Sequence, residues 1–384
     1  MLWTLPKYMS PRIVNALIIA WLALASARGY ARETPKLAIA WFTPMPGISS
    51  LNISPDSKFV GLVSKYGKAM CYSLTGERLW SADLPGATDV IIAPGAEYAL
   101  AYSRLNPCET CVTFLDSTGS RHWSRRVMGA VWSADACKIE DGVRFAVGTG
   151  ERYVYVFDFG KGRRRYRRWH APGAVVSINL DPTGERVTYG TWQNSAFGCA
   201  TFQGERIWET QAPGQTLQHV QALQGGGRAL LCLVPNRARK TGEFRLLDSS
   251  GKRIWSGELS PSRKDRVLIS PCGKYVCVGY TKRISHKGAV EKEEHTVLYD
   301  SHGKVLWDKG SLFFAARPLL VTTSGTVLVA GSDKSLFWLG RAGEPEPSLK
   351  LPADLVRATS SRDGKRLLIE CADGRLYLIN IPST

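Results

Sequence analysis

One short pattern recurs along this chain and constrains it more than any other feature. Thr75-Gly76-Glu77-Arg78-Leu79-Trp80 returns as Thr118-Gly119-Ser120-Arg121-His122-Trp123, Gln203-Gly204-Glu205-Arg206-Ile207-Trp208, Ser250-Gly251-Lys252-Arg253-Ile254-Trp255 and His302-Gly303-Lys304-Val305-Leu306-Trp307. A strand-like stretch precedes each copy, as in Phe114-Leu115-Asp116, so the unit reads as strand, tight turn at glycine, then a strand carrying tryptophan. A second turn signal keeps the same period, with a Pro/Asp/Gly cluster ahead of an alternating apolar run. Its equivalent positions are Ser57, Ala96, Gly142, Gly184, Gly227, Gly273, Gly325 and Gly364. Their spacing of 39 to 52 residues suits four short strands per unit.

The expected fold is therefore all-β: an eight-bladed β-propeller over residues 36–384, with seven blades as the alternative. The last unit stops at Leu376-Tyr377-Leu378-Ile379-Asn380 without a tryptophan strand, while residues 36–47 form an orphan strand around Trp41 that matches residues 78–86. The N-terminal strand is expected to close the last blade and cover two sheet edges. Two units depart from the pattern. The third reads as having its last turn stretched into the basic run 161–168 before Trp169, and the seventh has Pro347 where tryptophan is expected.

The residues that carry this pattern resemble the quinoprotein-like (PQQ-like) β-propeller repeat superfamily. The resemblance spans 36–384 and implies that Trp41, Trp80, Trp123, Trp208, Trp255 and Trp307 pack between adjacent blades as structural residues. The superfamily holds both quinone-dependent dehydrogenases and non-enzymatic scaffolds, such as the propeller subunit of the outer-membrane protein assembly machine. Adjacent cysteines of the kind several alcohol dehydrogenases use are absent, as are the long inserts that build a quinone and calcium pocket. The single-ring length resembles the scaffold branch, a resemblance that implies no cofactor.

Residues 1–27 read as a secretory signal: Lys7 and Arg12 precede an apolar run from Ile13 to Ala25, and Ala25-Ser26-Ala27 offers small residues for cleavage. An uncleaved anchor is the alternative, although the run is short of the ~20 residues a spanning helix needs. Residues 28–35 form a linker. The protein is expected to be exported: periplasmic, cell-surface or secreted. With 50 Lys+Arg against 33 Asp+Glu the net charge is +17, which favours an anionic partner. Nine cysteines are spread thinly and form no zinc framework. Cys108 and Cys111 read either as a small hairpin disulfide or as two free thiols.

No nucleophile elbow, phosphate loop or paired zinc histidines occur. His295 reads as a solvated residue in an extended blade-six hairpin. Two candidate sites remain. The first is the basic run Lys161, Arg163, Arg164, Arg165, Tyr166, Arg167 and Arg168, whose clustered arginines and aromatic ring suit an anionic partner. The second is the channel mouth, where the turn alignment gathers Ser50, Asp89, Ser133, Ser177, His219, Arg266, Pro318 and Arg357, a set suited to a small anionic or polar ligand or simply to water. The expected function is an extracytoplasmic binding or scaffold propeller that recognises a protein or an anionic surface through its loops, with a membrane surface as one such partner. A quinone- or small-molecule-dependent enzyme using the channel mouth, and an extracellular nucleic-acid or polyanion binder, are the alternatives. Export argues against nucleic acid.

Overall fold

The computed structural model describes residues 37–382, apart from 46, 161–162, 193–194, 213–214, 223–227, 236–240, 260–265, 287–288, 312–316 and 332. The signal, the linker and Lys161 lie outside the described residues.

The strands group into eight four-stranded antiparallel sheets. Blades 1 to 7 are continuous in sequence: 48–83, 87–128, 131–170, 174–211, 215–259, 266–311 and 317–350. Blade 8 takes its three inner strands from 355–380 and its outer strand from Ala38–Pro44, which pairs with Arg375–Asn380. Eight blades and N-terminal closure are thus both as the repeat spacing predicts. Buried side chains cluster between facing sheets: Phe114 of blade 2 packs with Phe145 and Phe157 of blade 3, and Trp41 of blade 8 with Met70 and Tyr72 of blade 1. Among the described residues no helix is long and apolar enough to cross a membrane.

The repeated glycine sits where only glycine fits. Gly251 has φ +80°, and a Cβ there would lie 2.5 Å from the Trp208 indole of the preceding blade. The Trp208 Nε1–H donates to the Ser249 carbonyl at 3.0 Å, and Trp255 bonds Ser301 of the next turn at 3.1 Å. Trp41 lies over Gly76, Trp80 over Gly119, Trp169 over Gly204, Trp255 over Gly303 and Trp307 over Gly343. Six of the eight outer strands therefore place a tryptophan on the turn that opens the next blade's outer strand, while Trp123 of blade 2 packs on Phe114, Phe157 and Phe159 instead. This arrangement accounts for Pro347. In blade 8 the third strand ends at Asn380 and the outer strand begins afresh at Ala38, so no turn awaits a tryptophan from blade 7.

The basic run differs from its sequence reading. It is no stretched turn: Arg163–His170 is the outer strand of blade 3, paired rung by rung with Tyr153–Gly160. In blade 2, Trp123 pairs with Phe114, whereas in blade 3 Trp169 pairs with Val154, so the extra residues extend the hairpin as ladder. The apolar alternation that drives this lies on the partner strand. Phe157 and Phe159 are buried, with Phe159 4.2 Å from Phe114 between ring centroids.

Cys108 and Cys111, which the sequence leaves open between a hairpin disulfide and two free thiols, are unbonded. Asn106 pairs with Glu109 across the hairpin, so Cys108 sits in the turn and Cys111 lies along the strand opposite Ser103. Three largely extended residues span about 10 Å, beyond the roughly 7 Å a disulfide tolerates between Cα atoms. His295 is 9% exposed rather than solvated, stacked on Tyr280 at 5.1 Å with its Nδ1 2.9 Å from Asp308. It belongs to the long blade-six hairpin, whose strands Tyr275–His286 and Ala289–Asp300 pair throughout.

Candidate functional site

Inner strands converge on the axis, so residues just past each inner-strand bulge share one level of the ring. Ser50, Asp89, Ser133, Ser177, His219 and Arg357 all follow such a bulge, and Arg266 begins its strand at the equivalent rung. Pro318 is offset, because the bulge in blade 7 falls after it. Ser50, Asp89, Arg266 and Arg357 line one cavity of about 550 Å³ at the mouth, with Thr88, Tyr102 and Thr359. Ser133 and Ser177 are not among its lining residues; Ser177 is buried. The His219 side chain lies outside the described part.

Chemistry at this mouth is directed at neighbouring blades. The Asp89 carboxylate accepts from Ser50 Oγ, Asn52 Nδ2 (2.6 Å), the Val90 N–H (2.8 Å) and Tyr102 Oη (2.7 Å), which ties blade 1 to blade 2. Burial raises its pKa above the ordinary carboxylate range, while the hydrogen bonds pull the other way. Arg357 donates to Glu370 at 2.6 Å and to the Ser49 and Ile48 carbonyls at 2.6 and 2.7 Å, tying blade 8 to blade 1. Burial also lowers the pKa of Arg266, and with Arg266 nearby that of Arg317, though both remain cations at neutral pH. At the opposite mouth Arg362, on the first turn of blade 8, crosses the ring to pair with Asp135 of blade 3. Asp135 also accepts from the Ala136 and Leu180 N–H groups at 2.8 and 2.7 Å.

Among the described residues no group of three His, Cys, Asp or Glu stands in metal-binding array. Burial pushes the Cys71 and Cys137 thiols up to about 12, which leaves them protonated and inert as nucleophiles.

The basic strand is partly built into the fold. Arg167 lies over the Phe202 ring of blade 4 at 4.9 Å, with its guanidinium 3.7 Å from Asp158. Arg168 lies over Tyr153 at 5.2 Å, and Arg125 of blade 2 stacks on Tyr166 at 3.4 Å. Asp158 is already held by Arg144 at 2.6 and 3.0 Å. Arg164 and Arg165 are exposed. Of Arg163 only the backbone is described.

Sequence reasoning missed one surface feature. Trp132 and Trp192, 42% and 44% exposed, meet edge to face with centroids 5.8 Å apart. Trp132 is the bulged residue of blade 3's inner strand, seated over Gly150, and Trp192 ends the second strand of blade 4. The available signal was that neither lies in a Gly-x-x-x-Trp frame.

Eight closed blades around a polar axis define an eight-bladed β-propeller. Residues 60–227 match the family model described as PQQ_2, outer membrane protein assembly factor BamB. Among solved structures, BamB from Moraxella catarrhalis is similar at 17% identity and a TM-score of 0.59, covering 90% of this chain and 100% of that one. The Dos1 propeller matches at 12% identity and 0.67, covering 91% and 96%. The propeller domain of Myceliophteria thermophila Cps50 (Swd1) matches at 11% and 0.54, covering 90% and 100%. No curated protein matches the sequence significantly. The chain is an eight-bladed β-propeller that is similar over residues 60–227 to the PQQ-like repeat family.

Proposed function

We propose that this protein is a non-enzymatic, extracytoplasmic scaffold that binds another protein, with the Trp132–Trp192 pair as its anchor. The observation that carries this reading is that pair. A fold that seats one tryptophan after another on the next blade's turn leaves these two side by side and nearly half exposed. Large, rigid amphipathic rings supply contact area at low entropic cost, which is why tryptophan is enriched among interface hot spots. Asp89, Arg357 and Arg362 at the two channel mouths engage their own neighbours, which favours binding over catalysis. Export is supported by the signal-like residues 1–27 and by the similarity to a family described as an outer membrane assembly factor.

The test is crosslinking capture from native envelope extract with the full mature chain and with its Trp132→Ala/Trp192→Ala variant. The variant should keep the wild-type melting temperature and lose the captured partner. Retention of the same partner at the same yield removes the pair from the interface. Stoichiometric uptake of pyrroloquinoline quinone with Ca²⁺ by the wild type would instead favour an enzyme.

A further inference from the structure

Every blade of a propeller ends in an outer strand whose far side pairs with nothing in its own sheet, and here one such edge differs from the others in two independent ways. The first is shape. The pairing of the outer strand with its neighbour is broken by a bulge in blades 1, 2, 4, 5, 6, 7 and 8. In blade 3 the register runs without a shift from Tyr153↔His170 to Gly160↔Arg163. Bulges twist an edge away from incoming strands, and blade 3 lacks that protection.

The second is charge. The outer strands of blades 2 and 3 hold eight arginines, at 121, 125, 126, 163, 164, 165, 167 and 168, and no carboxylate. The other six are balanced: Arg78, Arg206, Arg253, Lys309 and Lys350 against Asp83, Glu209, Glu258, Asp308 and Glu346. The basic excess on this rim is therefore local, not an echo of the overall composition. It also lies on both faces of the strand. Arg164, Tyr166 and Arg168 share the face of Phe157 and Phe159, while Arg165 and Arg167 share the face of Asp158.

We propose that the blade-3 edge, Arg163–His170, receives an extended acidic segment of another protein as a fifth strand. The flat edge offers a row of backbone donors and acceptors, and the arginines on its two faces meet carboxylates at alternate positions of an incoming strand. A second copy of this chain does not fit, since two such edges bring arginine against arginine. A fluid lipid surface or a flexible polyanion would satisfy the charge but leave the unbulged ladder without a role. The proposal concerns a different surface from the Trp132–Trp192 pair and stands or falls separately from it.

The experiment uses the full mature chain and three capped peptides of about nine residues, a length that spans the edge. One alternates Glu with Val or Thr, the second has Gln for every Glu, and the third keeps the Glu residues but carries Pro at its centre. The Glu peptide should bind about tenfold or more tighter than either control at low salt, an advantage that shrinks as screening grows. Hydrogen exchange should show slowed amides within 163–170 on adding the Glu peptide. Arg164→Ser/Arg165→Ser, which alters two exposed side chains, should melt as the wild type does and lose most of the Glu-over-Gln preference. Equal binding of the proline peptide, or tighter binding of phosphatidylglycerol vesicles without slowed amides, would overturn strand addition in favour of charge alone. Absence of binding by the Glu peptide would overturn it outright and leave the tryptophan reading untouched.

Discussion

Gly251→Ala tests how the ring is held together. Two costs apply, and the structure separates them. At φ +80° an L-residue is strained by about 1–2 kcal/mol. The added methyl would also lie 2.5 Å from the Trp208 ring, and forcing the indole aside costs a further ~1–3 kcal/mol of overpacking. Gly95 supplies the control, for it has the same φ of +80° with nothing within 4 Å of the place a methyl would take. Gly95→Ala should therefore show only the first cost. Trp208 is half-buried, so Trp208→Ala should fall toward the low side of the ~3–5 kcal/mol seen for deeply buried aromatic residues. In the double variant the overlap vanishes, and the cost of Gly251→Ala should drop to that of Gly95→Ala, a coupling of roughly 1–3 kcal/mol. Urea unfolding followed by tryptophan fluorescence and circular dichroism measures all four chains. Costs that add to within ~0.5 kcal/mol would refute the docking of Trp208 on this turn.

Three further outcomes are expected. Deleting Leu37–Pro44 strips blade 8 of its outer strand and Gly76 of Trp41, so the single cooperative melt should broaden and light scattering should rise; an unchanged melt would contradict closure by this strand. Native thiol labelling should modify the exposed Cys108 and Cys272 while sparing Cys71, Cys137 and Cys277, and a peptide mass matching a bonded Cys108–Cys111 pair would contradict the hairpin geometry. Burial raises the Asp89 pKa, so the folded state holds this proton more firmly than the unfolded one. Its contribution is most favourable below the ordinary carboxylate range and is lost as pH rises through the raised value, so the stability of wild type relative to Asp89→Asn should fall with rising pH, read from paired thermal melts; the opposite slope would show that the hydrogen bonds outweigh desolvation.

Much of the fold was legible because its determinants are local. A glycine held at positive φ and a tryptophan four residues on announce a blade whatever surrounds them, and of the residues the turn alignment gathers, Ser50, Asp89, Arg266 and Arg357 line one cavity while Ser133, Ser177 and Pro318 do not. What those side chains do there was not legible. Asp89 bonds Ser50 and Arg357 bonds Ser49 across 39 and 308 residues of sequence, and Arg362 reaches Asp135 across 227. The first needs two blades docked, and the other two exist only once the ring has closed. The basic strand was misread for a different reason. Its own residues carry almost no apolar alternation, and the signal for a strand sits instead in Phe157 and Phe159 on the partner. Trp132 and Trp192 were hidden among ten other tryptophans.

Closure by the N-terminal strand has a mechanical consequence. Ala38 pairs with Asn380 and Pro44 with Arg375, so the two ends of the folded ring leave blade 8 from the same rung. A force applied between them loads that rung alone, and each break passes the load to the next. The strand would unzip rather than shear, at a force set by one pair of hydrogen bonds instead of the whole ladder. Tension drawn through the chain ends is thus poorly resisted at blade 8, whereas a pull between blades 2 and 5 must break ladders and tryptophan contacts together.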